Sequence, residues 1–337
     1  MRKLFFLVIL LAAGWAAYWF VGSTAQRAAL ESWFAQQRQA GWVAEYEDLS
    51  VAGFPNRFDS RFTGLDLADP GTGWAWEAPH FNILALSYQP NKVITVFPPE
   101  QVVRTPVETL TVVSQDLRAS VHLEPNTLLG LKEAILAIDG LGITSDSGWA
   151  TAISSGQLSV RRSPEGNAPD FSYDVALDAA DFRLPEPLRK AIDPAGLYPV
   201  AVTPIYLRMT PVYDAPWDRL AAEGATPALT ALNIQNLSVT WGELEMQMRG
   251  SLDIDTLGRP EGSLNLVARN WPDMLQLAVT ADLISADLSR TLERGLSILA
   301  QTTGETSTLD LPLRFEGGFV KLGPVPIGRA PVLVYRP

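Results

Sequence analysis

The chain opens on an unbroken apolar run from Leu4 to Gly22, and most of the remaining sequence alternates apolar and polar positions. At about 1.5 Å per helical residue the opening run spans about 28 Å, close to one hydrocarbon core. Gln26 to Gln39 then reads as an amphipathic helix: Leu30, Trp33 and Phe34 share a face, Glu31, Gln37 and Arg38 lie off it, and Gly41 supplies a stop. Beyond it strand signals dominate. Phe171, Tyr173, Val175 and Leu177 alternate with Ser172, Asp174, Ala176 and Asp178, a period of two that buries one face and wets the other. With Gln157–Arg162 and the Ser163–Pro169 turn, this predicts a hairpin. Between Trp241 and Val267, Leu244, Met246, Met248, Leu252 and Ile254 alternate with polar residues. A Leu257–Gly262 turn then leads into Leu264 and Leu266, which predicts an antiparallel meander with one apolar face. Shorter strands fit 43–51, 57–67, 80–88, 93–97, 109–114 and 118–123.

Helix returns in two places. Asn270-Trp271-Pro272-Asp273 has a capping Asn, a Pro in the first turn and an acid at the positive end of the helix dipole. Met274, Leu277, Ala281, Ile284, Leu288, Leu292, Leu296 and Leu299 come after it at spacings of three and four. Ser285 can divide this stretch into two helices, with Gly304 beyond the end, and the apolar face can cover a sheet. A shorter helix fits Glu186–Ile192. Prolines 185, 187, 194, 199, 204, 211 and 216 are too many for a central strand, and read either as a linker or as an irregular edge of one continuous sheet.

The fold class is therefore mainly β with helix (α+β): an N-terminal transmembrane helix, then an extended, curved antiparallel sheet covered by a helix or helix pair in the last third. The expected parts are an anchor (1–24), a juxtamembrane helix (25–41), a first β-rich part (42–184), a proline-rich connection (185–216) and a second β-rich part (217–337) with its helix near 271–300.

Arg2 and Lys3 ahead of the run favour a cytoplasmic N-terminus, which places the chain after Thr24 across the inner membrane, in the periplasm. In the anchor Leu4, Leu7, Leu10 and Leu11 face hydrocarbon, while Trp15, Tyr18, Trp19 and Phe20 suit the far interface. The rival reading is a cleaved signal peptide, with Ser23-Thr24-Ala25 as the small residues at the cut and a soluble periplasmic product. Against it, the run exceeds the usual ~7–15 residues of a signal core. Export is common to both readings.

Composition narrows the chemistry. The absence of cysteine excludes disulfides and thiolate metal centres and leaves no thiol to misoxidise outside the cytoplasm. Setting aside Arg2 and Lys3, the exported part holds 24 basic and 37 acidic residues, a net of −13, which repels nucleic acid and anionic headgroups. Only two histidines occur, His80 and His122, each in a strand-like segment. Nucleophile-elbow, P-loop and zincin motifs are missing. Gly71-Thr72-Gly73 reads as a turn, since Trp76 stands where a dinucleotide fingerprint needs its third glycine. Asp253 and Asp255 begin like a calcium loop, but Leu257 replaces an oxygen ligand and Leu264 the bidentate Glu, so solvation on a wet strand face is the better account. No catalytic residue, metal ligand or cofactor is assigned, and the chain is read as a non-enzyme. Trp74 and Trp76 lie two apart on one side of a strand, either as a packed pair sealing a sheet end or as an exposed stacking or lipid-touching surface.

Several turn and strand-end motifs become jointly informative. They are Gly53-Phe54-Pro55-Asn56-Arg57, the Asp69–Pro79 segment, Trp241-Gly242-Glu243-Leu244, Gly258–Gly262, Asn270-Trp271, and the tail running from Leu311 to Gly318 and from Leu322 to Gly328. Over nearly its whole length the chain resembles the DUF2125 family of bacterial envelope proteins. The resemblance implies an inner-membrane or periplasmic protein and carries over no active-site residue. In architecture it is more loosely similar to AsmA-like and DUF945-like envelope proteins, the former associated with moving lipids along an apolar-lined sheet, although fold alone does not fix function.

Two functional readings are open. In the first, a curved sheet shelters an acyl chain or another hydrophobic ligand under the 271–300 helix, with Trp74, Trp76, Leu244, Met246 and Met248 as the candidate hydrophobic surface. In the second, the acidic body is a periplasmic scaffold for an envelope protein partner. A hydrolase of envelope polymers would need converging carboxylates, and no spacing singles out such a pair.

Overall fold

The computed structural model describes residues 1–166, 168–224, 226–303, 306–322 and 325–333. The chain forms two compact units, Met1–Pro125 with Ala134–Trp149, and Asn126–Glu133 with Ala150–Pro337.

In the first unit one helix, α1 (Arg2–Gln39), replaces the two expected segments. Its apolar run passes into the amphipathic part without a break, because the Ser23 and Thr24 hydroxyls fold back onto the Phe20 carbonyl at 3.1 and 2.8 Å instead of ending the helix. Gly41, at φ +92°, turns the chain out as expected. β1 (Val43–Glu45) and β2 (Asp48–Ala52) pair along β3 (Arg57–Asp69), and β3 pairs with β4 (Trp74–Leu86). β4 then forks. Its residues 82–86 pair with β5 (Gln89–Val96), and residues 75–77 pair with β6 (Glu100–Arg104). β6 continues to β7 (Thr109–Val113), β5 to β8 (Asp116–Leu123), and β7 to residues 142–145 of β9 (Leu131–Ser145). All these pairs are antiparallel.

The core of this unit lies where α1 covers the sheet. Phe34 packs with Ala44, Leu49, Phe62, Leu65 and Ala78, and Leu30, Tyr46, Trp76, Phe81 and Ile83 close around them. Phe58, Ser60 and Phe62 keep strict alternation, but Leu65 is buried on the opposite parity. The change falls at Gly64, whose φ of +57° turns the strand over. A Cβ there would also stand 2.4 Å from the Glu47 side chain.

The second unit is a long meander. Its elements are β10 (Ala150–Arg162), β11 (Tyr173–Ala180), β12 (Phe182–Arg183), α2 (Glu186–Ile192), β13 (Ala201–Val202), β14 (Ile205–Tyr213), α3 (Arg219–Ala222), β15 (Leu229–Trp241), β16 (Leu244–Ile254), β17 (Pro260–Arg269), α4 (Trp271–Thr280), α5 (Ala286–Thr303), β18 (Thr308–Glu316), β19 (Phe319–Leu322) and β20 (Val325–Arg329). The ladder runs β10–β11–β14–β15–β16–β17–β18–β19–β20, antiparallel throughout.

The proline-rich stretch lies inside this unit, and part of it is a central strand, contrary to expectation. β14 holds Pro211 and sits between β11 and β15. The strand tolerates it because pairing on the β11 side is interrupted there: the ladder runs to Val175↔Met209 and resumes beyond the proline in the single bridge Ser172↔Val212. α4 and α5 form the expected helix pair over the sheet: Trp271, Leu292, Leu296 and Ala300 bury against Ala268 and Leu309. Ser285 is the break, its hydroxyl accepting the Leu288 N–H at 3.2 Å. Asn270 does not cap α4 with its side chain. It sits at φ +55°, and its amide donates to the Glu243 carbonyl at 2.6 Å, tying the helix start to the β15–β16 turn. Asn167, Gly304, Gly323 and Pro324, named in the expected turn, helix stop and tail, lie outside the described residues.

Candidate functional site

The most heavily built feature of the first unit is the junction between α1 and its own sheet. The Trp15 indole donates to the Pro55 carbonyl at 3.0 Å, the Tyr18 hydroxyl to the Ser87 carbonyl at 2.5 Å and the Trp19 indole to the Arg57 carbonyl at 2.7 Å. Trp19 stacks edge-on against Phe54, and both Tyr18 and Trp19 lie against Phe58. Gly22 permits this approach, since a Cβ there would come within 2.4 Å of the Phe58 ring. The family-like Gly53–Arg57 turn is thus the receptor for the helix.

The proposed anchor residues divide accordingly. Leu4, Leu7, Leu10 and Leu11 are exposed, as is Phe20, whereas Trp19 is 7% exposed and belongs to the body. Phe54, Phe58 and Tyr88 are not singled out by sequence reasoning, although the Gly-Phe-Pro turn carries the first of them.

A second feature is an apolar sheet face. Register places Ile83, Thr95 and Ala119 in one row and Ala85, Val93 and Val121 in the next. Through the fork, Trp76, Val103 and Leu110 line up, with Val112 and Ile143 opposite each other beside them. This face continues from the α1-covered core through Trp76, Phe81 and Phe97, whose rings are mutually in contact. Yet among residues 79–125 and 134–149 no Val, Leu, Ile, Phe, Tyr or Trp is buried. Trp76 donates its indole N–H to Gln101 at 2.7 Å and is partly buried, while Trp74, at the β3–β4 turn, is 54% exposed.

The remaining candidates sit in filled clusters of the second unit. Leu244 is buried with Val202 and Trp241, and Met248 packs on Ile234, Leu252 and Leu264. Met246, partly buried, stands between Val239 and Ala268 in the sheet.

The second unit also carries mixed polar and apolar clefts. Two adjoining clefts, of about 440 and 530 Å³, share Asp174, Thr210 and Gln235. Asp174 accepts from Ser163 at 2.8 Å and Thr210 at 3.3 Å and lies 3.5 Å from Arg161, while Arg208 grips Asp178 with bonds of 2.7 and 2.9 Å. These carboxylates are engaged by donors of the same surface. Among the described residues no cluster of His and carboxylate groups could hold a metal ion. Asp255, the candidate calcium residue, accepts the Leu257 and Arg259 N–H groups at 2.8 Å each and shapes the β16–β17 turn. His80 lies opposite Thr63 and His122 opposite Lys92, each within a ladder.

The fold defines a class: a β-rich protein built onto an N-terminal helix that is, among the described residues, the one long and apolar enough to cross a membrane. Within that class the chain belongs to the DUF2125 family, described as "Uncharacterized protein conserved in bacteria", whose model matches residues 19–331. No curated protein and no solved structure matches the chain.

Proposed function

We propose that this is a single-pass inner-membrane protein that keeps α1, carries its body in the periplasm and acts without catalysis, holding an acyl chain against the apolar face of β5–β9. The observation that carries the ligand assignment is the contrast along one sheet. The face is continuous in register with a core that buries fully under α1, yet its own Val, Leu, Ile and Phe side chains stay partly exposed. Contiguous apolar surface of that kind marks a binding face more often than an idle one. Its place differs from the one expected from sequence, because the surface under α4 and α5 is occupied by Trp271, Leu292, Leu296 and Ala300.

Retention of α1 is supported by the three indole and phenol bonds to the body. A cut after Ala25 would remove Trp15, Tyr18 and Trp19 and uncover Phe58. The test is photocrosslinking of the full chain in membranes containing a diazirine-bearing phospholipid, followed by peptide mapping. Adducts on the strands carrying Val103, Val112 and Val121 are expected in addition to those on α1. Adducts confined to α1 would refute the ligand assignment. The scaffold reading draws on the clefts of the second unit, and a stoichiometric protein adduct there without lipid would favour it.

A further inference from the structure

The length of α1 and the place where the body grips it are in tension, and the tension has one geometric resolution. The apolar run is bounded by Arg2 and Lys3 at one end, and its first charge on the other side is Arg27. A hydrocarbon core of about 30 Å needs about twenty helical residues, so a spanning α1 uses the run through about Gly22 or Ser23. The body, however, is already bonded to the helix at Trp15. Leu4 to Gly14 alone would cover only about 16 Å, roughly half a core. Whatever lies beside Trp15–Gly22 must therefore share the outer half of the bilayer with it.

What lies there is suited to that place. The Gly53–Asn56 turn carries Phe54, 55% exposed, with its ring 5.7 Å from Phe20, and the β4–β5 turn carries Tyr88, 57% exposed, next to the Ser87 that receives Tyr18. At the same level of α1, Phe20, beside Phe54, and Val21 stay exposed. The nearest charges, Arg57 and Asp59, pair with each other at 2.8 Å at the root of the turn, where a headgroup layer would meet them.

We infer that the Phe54 and Tyr88 turns are a second membrane contact, immersed about 10 Å into the periplasmic leaflet beside α1, so that the first unit is seated in the bilayer and not tethered above it. The partner is the leaflet itself: acyl chains around Phe54, Phe20 and Tyr88, and headgroups around Arg57 and Asp59. The inference rests on the spanning reading of α1.

The chain has no cysteine, so one introduced thiol takes one label. Full-length Phe54→Cys, Tyr88→Cys and Thr72→Cys, each carrying an environment-sensitive dye, are reconstituted into phosphatidylethanolamine–phosphatidylglycerol vesicles with and without lipid-borne quenchers. Thr72 is in the turn at the opposite end of the β3–β4 hairpin, about 40 Å away along the strands. Blue-shifted emission and quenching at positions 54 and 88, with neither at 72, are expected. Water-like emission at 54 and 88 while the protein resists alkaline carbonate extraction would overturn the immersion and leave the anchor standing. Release by carbonate would overturn the spanning reading and the immersion with it. Either tip alone suffices as the readout should one substitution impair folding.

Discussion

The two ends of the first sheet hold the same kinds of side chain and differ in what covers them. At the β1–β4 end, Phe34 of α1 lies over Leu49 and Phe62, each 1% exposed. Across the fork, Val103, Val112 and Val121 face the same way in register and none is buried. Strand pattern decides which residues share a face. A covering element decides whether that face becomes a core, and at about 25 cal/mol per Å² of apolar surface the difference is worth a few kcal/mol per large side chain.

Four experiments bear on this contrast. Phe62→Ala should be the most damaging, costing about 3–5 kcal/mol because it empties the covered end. Val112→Ala in the same background should cost below about 1 kcal/mol. Denaturant unfolding of the detergent-solubilised chain measures both, and equal costs would erase the distinction between the ends. Next, Leu10→Arg places a cation at mid-bilayer, costing about 2.5–3.5 kcal/mol of insertion. Loss of carbonate-resistant membrane association is expected, and unaltered retention would contradict the assignment of α1 as a span.

The third experiment extends the comparison to the covered part of the second unit. Asp193, 2% exposed, ends α2 and accepts the Leu197 and Tyr198 N–H groups at 2.9 and 3.0 Å. Burial pushes its carboxyl up, but these backbone donors outweigh it, and the group titrates below the ordinary Asp value. A depressed folded pKa contributes stability above the unfolded value of about 3.9, and that contribution is lost as the pH falls through the folded value. Asp193→Ala should therefore cost about 2 kcal/mol at neutral pH. Its difference from the parent should shrink as the pH drops below about 4, as read from Tm against pH; a pH-independent difference would assign the effect to packing. The smallest effect is expected at Ser60, fully buried with its hydroxyl lacking a hydrogen-bond partner. Ser60→Ala should raise stability by about 1 kcal/mol, and a loss of stability would show that the hydroxyl is satisfied in solution.

Much of the framework is legible in the sequence: the apolar helix, the β-rich body, the β10–β11 hairpin, the β16–β17 meander, α2 and the α4–α5 pair. The failures have local causes. Ser23 and Thr24 read as the end of a helix because nothing in sequence reveals that their hydroxyls will bond back to Phe20. β14 is obscured by Pro211, whose tolerance depends on where a neighbouring ladder is interrupted. β9 escapes sequence reading altogether. Its Lys132-Glu133-Ala134-Ile135-Leu136 stretch favours helix by propensity, and Gly140 and Gly142 interrupt its alternation. Of the two site features, the helix receptor has a visible signal in Gly53-Phe54-Pro55. The partly exposed face has none, because period-two patterning is the same whatever lies over it.

Because α1 continues through Trp15–Gly22 into the Leu30–Phe34 segment that packs on the sheet, its apolar run and its sheet-packed part form one unbroken helix. In a membrane the first unit can turn and tilt only as its helix does. Were α1 to span a bilayer, a ligand carried by that bilayer would meet the face at one nearly fixed height, and its search would be confined to two dimensions.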